Sequence, residues 1–414
     1  MLGCCQRCYT DRVSGRPGPA LIAALIAVPI ALAGRSAGAA PRRTDPPRVE
    51  LLTMGRGDHP YARFGHAALR VRQAHRDRVY NYGYTDFTNP RLIDDFLRGR
   101  ALFWVARFSF ASTLRHYRGE GRALFRQALA LDEQRHRRLA ALLRRNLRPD
   151  RRNYTYHHYF DNCTTRLRDL IDRTVDGELK RQLVGRDAGT TLRRLTREGF
   201  AGRLDLLLAT ELLLGRMIDR PLDQWAAAFL PERLAASLQR VDLDGRPLAS
   251  PPQQLLPAGP QGPTSGDPRA GVKVIWAVAL ILGIFSLLGV MALRRQQRWS
   301  GLTLILPALV IGGCATLVWS LALLSELPEL RENELLLLLW PTDWLLIVPA
   351  LRWLRGRFTA GRLLRGYLGA RTAVILLVGV GHLCGLLVQQ PRVWVVVVLP
   401  LVVFWLALRR HHCA

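Results

Sequence analysis

The chain has 414 residues, with 59 Lys and Arg against 32 Asp and Glu and a formal net charge of +27. A hydrophobic fraction of 49% excludes a disordered chain, and the scattered distribution of the cations, almost all of them Arg, disfavours a nucleic-acid-binding protein. A mean hydropathy of +0.05 in so basic a chain instead predicts two unlike parts, one basic and globular and the other strongly apolar.

The first 39 residues have the features of a targeting segment. Three arginines within the first 16 residues precede an apolar stretch from Ala20 to Ala33, and Ala37–Ala39 is a small-residue cleavage pattern. We expect a signal peptide or an N-terminal anchor here, and therefore export of the segment that follows.

Residues 40–246 are predicted to form an extracytoplasmic domain of the α+β class. Short β-rich runs come first and helical patterns come mainly afterwards. The predicted strands are Arg48–Met54, His66–Arg72, Arg78–Tyr84, Leu102–Phe110 and Arg122–Leu129. The predicted helices are Glu133–Leu147, Thr164–Thr174 and Asp205–Ile218. Residues 247–271 are rich in Pro, Gly and Gln and are predicted to be a flexible or extended linker.

Residues 272–414 are predicted to form an all-α bundle of five transmembrane helices. The apolar runs are Val272–Leu293, Gly301–Ser325, Leu335–Leu351, Ala373–Val388 and Val393–Leu408. With residues 40–271 outside, the inside segments carry eleven Arg and the outside segments carry two, which is the positive-inside pattern. We therefore expect a multi-pass protein of the bacterial inner (cytoplasmic) membrane, with residues 40–271 on the periplasmic side. Asp343 interrupts the third run, so it is expected to face protein or water, or the run is re-entrant.

Cys163 is the one cysteine predicted to lie in the exported domain. The other six lie in the targeting segment, in predicted spans or in the cytoplasmic tail, namely Cys4, Cys5, Cys8, Cys314, Cys384 and Cys413. A disulfide framework and a multi-cysteine zinc site are therefore excluded from this domain. Asp161 or Asn162 can cap a helix that begins next to Cys163, and a helix N-terminus favours the thiolate. The alternative is an inert cysteine that packs the start of the helix.

A nucleophilic cysteine needs a base, and His66 is the preferred candidate. It lies at the start of a predicted strand, behind Gly65, which permits close approach. His157 and His158 are closer to Cys163 in sequence, but on a strand one member of such a pair must point away from the thiol.

Four strings of residues in this domain resemble those of a known family. They are Leu51–Gly55, Arg63–Val71, Val79–Gly83 and Asp161–Arg166. The family is the Lnb N-terminal periplasmic domain, which includes alternative bacterial lipoprotein N-acyltransferases, and the resemblance covers residues 48–175 and returns as a similar multi-span C-terminal half. It implies a permuted papain- or NlpC-like fold in which Cys163 is the acyl-accepting nucleophile and His66 its base. The third group that orients His66 is left open among Asn81, Tyr82 and Asp86, of which Asn81 ranks first.

The resemblance also implies a function. The enzyme would move a fatty acyl chain from a membrane phospholipid to the α-amine of a lipoprotein N-terminal Cys through an acyl-Cys163 thioester, with no metal or other cofactor. A thiolate divides one difficult transfer into two easier steps, and the spans keep the site at the bilayer surface, where both substrates are anchored. The candidate catalytic residues are Cys163, His66 and Asn81, and backbone N–H groups near Cys163 and Thr164 are candidate oxyanion donors. The candidate substrate-binding residues are Arg63, Tyr82, Asn162, Thr164 and Arg166.

Two other classes of protein remain open on the sequence. A papain-like cell-wall amidase or peptidase, or a phospholipase, would use the same Cys–His pair with water as the acceptor, although cell-wall hydrolases seldom need a polytopic anchor. A non-catalytic membrane receptor or assembly factor would need no cysteine. The pairing of a Gly-His string with an Asp-Asn-Cys-Thr-Thr turn disfavours it.

Overall fold

The structure is a computed structural model that describes residues 46–260, 262–358, 361–390 and 393–410. The predicted targeting segment, residues 1–39, lies outside the described residues. We refer to residues 46–260 as the N-terminal domain.

An antiparallel sheet of seven strands forms the centre of the N-terminal domain. The strands of the described residues are β1 (Arg48–Met54), β2 (His66–Gln73), β3 (Arg76–Tyr84), β4 (Leu102–Ser109), β5 (Leu124–Ala128), β6 (Asn153–Thr155), β7 (Asp187–Thr191), β8 (Pro221–Asp223), β9 (Asp242–Leu243), β10 (Arg246–Pro247) and β11 (Gln253–Leu256). The order across the main sheet is β11-β5-β1-β2-β3-β4-β6, and β7 with β8 and β9 with β10 form two small antiparallel pairs. All five predicted strands form, each within two residues of its predicted ends.

Apolar side chains cover both faces of this sheet. Leu51 of β1 packs with Leu69 of β2 in one core cluster, whereas the adjacent Leu52 packs with Ala68 in another. Because successive side chains of a strand point to opposite faces, a sheet covered on both sides has strands that are apolar almost throughout. This explains why β1 shows only partial alternation.

Helices follow the strands and flank the sheet, so the predicted mixture of strands and helices in one domain is confirmed. In the N-terminal domain the α-helices are α1 (Leu92–Arg98), α2 (Phe110–Gly119), α3 (Glu133–Asn146), α4 (Cys163–Thr174), α5 (Glu178–Leu183), α6 (Leu192–Phe200), α7 (Leu204–Leu213), α8 (Gln224–Ala227) and α9 (Pro231–Arg240). The predicted helices at residues 133–147 and 164–174 form as α3 and α4. Asp132 caps α3 by accepting a hydrogen bond from the Arg135 backbone N–H at 2.7 Å.

The predicted helix Asp205–Ile218 ends early, at Leu213. The backbone N–H of Gly215 donates to the carbonyl of Glu329 at 2.6 Å, and the N–H of Arg216 donates to the carbonyl of Glu332 at 2.9 Å. A Cβ on Gly215 would lie 2.1 Å from the Glu332 carbonyl oxygen, so the glycine permits this close approach. The helix prediction is wrong here because contacts with a distant segment compete for the backbone groups of residues 215 and 216.

Part of the predicted linker, residues 247–271, is folded onto the domain. β11 pairs with β5 at the edge of the main sheet. The Thr264 backbone N–H and hydroxyl both donate to the Asp58 carboxylate at 2.8 Å. Because an uncovered β5 would leave unpaired backbone groups at a sheet edge, this segment has a pairing partner that its composition does not indicate.

The C-terminal region is helical. Its helices are α10 (Ala270–Arg294), α11 (Ser300–Leu324), α12 (Pro328–Arg331), α13 (Leu335–Leu338), α14 (Ile347–Leu354), α15 (Arg362–Leu383) and α16 (Trp394–Arg410). Within the described residues, four helical segments are long and apolar enough to cross a membrane: Ala270–Arg294, Ser300–Leu324, Pro328–Leu354 and Arg362–Leu383. The fifth predicted run forms α16, a shorter apolar helix, so five spans stay a prediction.

The third of these segments is interrupted where Asp343 lies. A 3-10 turn, Pro341–Leu346, separates α13 from α14. Asp343 is fully buried and accepts hydrogen bonds from Arg371 Nε at 3.0 Å, Arg371 Nη2 at 2.8 Å and the Tyr367 hydroxyl at 2.6 Å. Asp343 therefore faces protein, which was one of the alternatives left open.

Candidate active site

Cys163 is the first residue of α4, and the side chain of Asn162 caps this helix. Asn162 Oδ1 accepts hydrogen bonds from the backbone N–H groups of Thr164 and Thr165 at 2.8 and 2.9 Å. In return, the Asn162 backbone N–H donates to the Thr165 hydroxyl at 2.8 Å, which completes a capping box. The cap is therefore Asn162, and Asp161 instead forms a two-point ion pair with Arg166.

The cap also determines which backbone N–H group at the start of α4 can still donate a hydrogen bond to a ligand. The expectation that the Thr164 N–H binds an oxyanion is wrong, because that group already donates to Asn162. The N–H groups of the first turn have no partner within the helix itself. Since Asn162 takes those of Thr164 and Thr165, the Cys163 N–H is the one that the cap leaves.

His66 of β2 and Asn81 of β3 lie beside this helix start. α4 packs on both strands, and His66 Nε2 lies 3.3 Å from Asn81 Oδ1. Because Asn81 Oδ1 can only accept, Nε2 carries the imidazole proton in this contact, and Nδ1 is left for the thiol. Of the three candidates for the orienting group, the structure brings Asn81 to His66.

Gly83 is the residue that allows the nucleophile to approach the sheet. Its φ of +88° lies in the region that favours glycine, and a Cβ there would lie 3.3 Å from Cys163 Cβ and 3.9 Å from His66 Cε1. The β3–β4 pairing also shifts register between Asn81 and Tyr84. The strand is thus irregular where the Cys163 and His66 side chains meet over it.

The surroundings of the Cys163 thiol favour its ionised form. Burial raises the pKa of Cys163, but the His66 imidazole, the Thr164 hydroxyl and the Ala67 backbone N–H together outweigh it and lower the pKa from 9.0 to about 7. The Thr164 Oγ1 atom lies 3.7 Å from Cys163 Sγ. About half of the thiol is therefore ionised at neutral pH, as a cysteine nucleophile requires.

His157 and His158 diverge, as expected for an adjacent pair. The His157 imidazole turns to the C-terminal region, where Nε2 lies 3.3 Å from Glu329 Oε2. The His158 ring lies at the cleft described below. Burial, and then the neighbouring His157, lower the pKa of His158 to about 3, so its ring is neutral at physiological pH.

Tyr154 is a site residue that the sequence reasoning missed. Its hydroxyl is buried, has no hydrogen-bond partner among the described residues, and lies 4.0 Å from where a Cβ on Gly83 would be. Burial, and then the nearby Cys163 thiol, raise the pKa of Tyr154 far above its ordinary value, so the hydroxyl keeps its proton. The aromatic run that precedes Cys163 was the available signal, but it does not say which hydroxyl lies near Gly83 without a hydrogen-bond partner.

A cleft of about 440 Å³ lies over the Cys–His pair, with Cys163, His66 and Asn81 in its wall. Ten Phe and Tyr side chains line it, among them Tyr61, Phe64, Tyr84, Phe87, Phe103 and Phe108. A cleft whose exposed lining is mainly apolar and that also presents polar groups suits a ligand with a long apolar part and a reactive polar group.

Comparison with known protein families finds a match for the part of the chain that contains the cleft. The family model of the Lnb N-terminal periplasmic domain matches residues 39–198, a range that includes Cys163, His66, Asn81 and Tyr154. Residues 39–198 are therefore similar to this family. No curated protein and no solved structure matches the chain. With its four candidate membrane helices, the chain is a membrane protein with a periplasmic segment.

The N-terminal domain brings only some of the predicted binding residues to the cleft. Tyr82, Asn162 and Thr164 line it. Arg63 and Arg166 are not among its lining residues. The Arg63 side chain is 2% exposed and donates to the carbonyls of Ala201 and Thr264, and Arg166 lies over the Tyr154 ring and pairs with Asp161. The predicted substrate-binding role of these two Arg residues therefore finds no support in their positions, because both are already paired inside the domain.

The lowered pKa of the Cys163 thiol predicts how the rate of its alkylation depends on pH. The rate at which iodoacetamide alkylates Cys163 is expected to rise with pH around a midpoint near 7, because the thiolate is the reacting form. His66→Ala removes the main lowering influence, so the midpoint moves to higher pH and the rate at pH 7 falls about ten-fold for each unit of pKa. His75→Ala, a change in an exposed turn, serves as the control and should leave the midpoint unchanged. An unchanged midpoint in His66→Ala would contradict the pairing of His66 with the thiol.

Proposed function

We propose that this protein is a membrane-bound thiol acyltransferase that moves a fatty acyl chain from a phospholipid to the α-amine of a lipoprotein N-terminal Cys. The observation that carries the proposal is the thiol of Cys163, with a pKa near 7, beside His66 in an aromatic cleft of an Lnb domain. The proposal includes five spans in the bacterial inner membrane and residues 40–271 on the periplasmic side. It requires no metal or other cofactor.

In the first half-reaction, the Cys163 thiolate attacks the carbonyl carbon of a phospholipid ester. His66 holds the proton taken from the thiol. The new S–C bond gives a tetrahedral intermediate whose oxyanion is stabilised by the Cys163 N–H and the Tyr154 hydroxyl. When the intermediate collapses, the ester C–O bond breaks, and the leaving lysophospholipid oxygen takes the proton from the His66 imidazolium. The product is an acyl-Cys163 thioester.

In the second half-reaction, the α-amine of the lipoprotein attacks the thioester carbon. His66, now neutral, accepts a proton from the amine, and Asn81 holds the ring so that the same nitrogen faces the reacting atoms. The C–S bond then breaks and the thiolate is regenerated, while the amide stays on the lipoprotein. A thioester is a good acyl donor to an amine, so one difficult O-to-N transfer becomes two easier steps.

The contacts between the N-terminal domain and the apolar helices support the proposal that both substrates are anchored in the membrane. The Asn333 side chain donates to the carbonyls of Leu212 and Leu213 at 3.0 and 3.1 Å, and Trp394 Nε1 donates to the Glu211 carbonyl at 3.2 Å. These contacts hold the N-terminal domain against the helices. A site held at the bilayer surface meets a phospholipid donor and a lipid-anchored acceptor at high effective concentration.

The test uses the purified full-length protein in phospholipid vesicles with a diacylglyceryl-Cys peptide. We expect mass spectrometry to show the gain of one acyl chain on a peptide whose α-amine is free. The same peptide with an acetylated α-amine is the matched control and should gain none. Release of free fatty acid at the same rate with either peptide, without an acylated product, would reject the transferase and identify a phospholipase that uses water as the acceptor.

A further inference from the structure

α1 lies between the cleft and the helical C-terminal region. On its inner side, Phe96 packs against Tyr156 with ring centroids 6.0 Å apart, and Tyr156 stacks on Phe103 at 4.3 Å. Tyr156 and Phe103 both line the cleft. Leu92, one turn before Phe96, is also buried. The inner side of α1 therefore closes one wall of the cleft.

Hydrogen bonds hold the end of α1 at the end of α11. The Ser325 hydroxyl donates to the Leu97 carbonyl at 2.5 Å, and the Glu326 backbone N–H donates to the Arg98 carbonyl at 3.0 Å. Arg100 adds an ion pair with Glu326 at 2.6 Å. α10 follows the periplasmic domain and α11 runs back, so Ser325 lies where α11 returns to the periplasmic side. If α10 and α11 both cross the membrane, these bonds place α1 near its periplasmic surface.

Large apolar side chains are exposed around α1. We call Phe87, Ile93 and Leu102 the apolar rim; their exposed fractions are 56%, 65% and 54%. Leu323 and Leu324, the last two residues of α11, are 76% and 53% exposed, so the rim continues the apolar surface of a candidate membrane helix. Several large apolar side chains exposed around one helix mark a candidate interaction site.

Asp94, Arg91 and Arg100 are charged groups near Ile93 and Leu102 whose arrangement is compatible with the boundary between lipid and water, whereas Asp86, beside Phe87, is exposed and its carboxylate accepts hydrogen bonds only from Thr88 among the described residues. Asp94, beside Ile93, is paired through both carboxylate oxygens with Arg98 Nε at 2.9 Å, so it does not present a free negative charge to the lipid. Arg91 and Arg100 are exposed on either side of α1. Arg side chains at such a boundary lay their apolar stems along the lipid and keep their charged ends among the headgroups.

We propose that the apolar rim is immersed in the outer leaflet of the membrane that α10 and α11 cross, and that acyl chains reach the cleft from the bilayer through it. Phe87 connects the two features, because its side chain belongs to the rim and also lines the cleft. The acyl chain as the ligand rests on the proposed function, whereas the immersion of the rim does not depend on it.

The first experiment measures depth in the bilayer. A spin label is attached at Ile93→Cys in the full-length protein, with the other cysteines replaced by Ala, after reconstitution into phospholipid vesicles. We expect the label to collide with oxygen, which concentrates in lipid, more often than with a water-soluble nickel chelate. Val184→Cys is the matched control, since Val184 is an apolar residue of the N-terminal domain that is 48% exposed, and its label should show the reverse preference.

Two results would overturn the proposal. A label at residue 93 that behaves like the one at residue 184 would show that the rim faces water. A label shielded from both reagents would show that protein covers the rim, for example a second copy of the chain. Neither result depends on enzymatic activity. The position of residue 93 in the bilayer can therefore be determined even if the protein transfers no acyl chain.

The second experiment tests access to the cleft. Ile93→Asp is expected to lower the rate of acyl transfer from vesicle phospholipid at least ten-fold, because a carboxylate opposes immersion in lipid. It should leave alkylation of Cys163 by iodoacetamide unchanged, because this small reagent arrives from water. Val184→Asp should change neither rate. Full transfer by Ile93→Asp, or equal losses of transfer and alkylation, would contradict lipid access through the rim.

Discussion

Replacement of Cys163 by Ala is expected to abolish acyl transfer, and replacement by Ser is expected to lower its rate by about 10³-fold or more. Alanine has no nucleophile, and a serine hydroxyl stays protonated where the thiol has a pKa near 7. The measurement is the acylation of the diacylglyceryl-Cys peptide in vesicles. In parallel, the mass of the intact wild-type protein should rise by one acyl chain when the peptide is left out, and neutral hydroxylamine should remove this chain.

Two controls separate loss of chemistry from loss of fold. The Asn162 cap uses backbone groups that Cys163→Ala leaves in place, so the melting temperature of this variant should stay close to that of the wild type. Cys314→Ala, a change at a half-buried cysteine of α11, should keep full activity. Acyl transfer by Cys163→Ala above the background of empty vesicles would reject the covalent mechanism.

The second large effect is expected at Tyr154. Tyr154→Phe removes the buried hydroxyl that we propose as an oxyanion donor, and the loss of one such donor lowers the rate by about 10² to 10³-fold. Alkylation of Cys163 forms no oxyanion, so its rate should stay within about two-fold of the wild-type value, a difference typical of a distant change. The comparison of the two rates measures stabilisation of the intermediate separately from reactivity of the thiol.

A tyrosine from the same aromatic run is the matched control. The Tyr159 hydroxyl is buried but hydrogen-bonded to the Thr196 hydroxyl at 2.8 Å, in a separate core cluster. Tyr159→Phe should therefore keep acyl transfer, although it leaves the Thr196 hydroxyl without this contact. Tyr154→Phe should not lower the free energy of unfolding, because its own hydroxyl has no partner to lose among the described residues. If Tyr154→Phe loses transfer and alkylation equally, the residue is structural rather than catalytic.

Most of what could be predicted about the nucleophile came from the residues next to it in the sequence. Cys163 is the one cysteine between the targeting segment and the apolar region, and a helix N-cap needs only the short polar side chain of Asn162 beside it. His66 and Asn81 are predictable for a related reason. β2 and β3 are consecutive strands joined by a short turn, and residues near their ends come together in any hairpin.

The early end of α7 and the strand in the predicted linker lay beyond a sequence pattern. Residues 204–218 are apolar enough for one helix, but backbone groups at residues 215 and 216 bond to the segment near Glu332, more than 100 residues further along the chain. β11 likewise forms because β5 offers an unpaired edge. Local composition cannot report a competition between near and distant hydrogen-bond partners.

The tertiary structure also decided which polar side chains face the thiol. The sequence determined the class of protein, an exported domain with one cysteine joined to apolar helices, because composition and hydropathy are sums over many residues. It could not determine that Arg63 and Arg166 turn into the domain while the Tyr154 hydroxyl lies beside Gly83 and α1 meets the end of α11. Such directions depend on how helices and sheet pack together, and one rotamer or one register step reverses them.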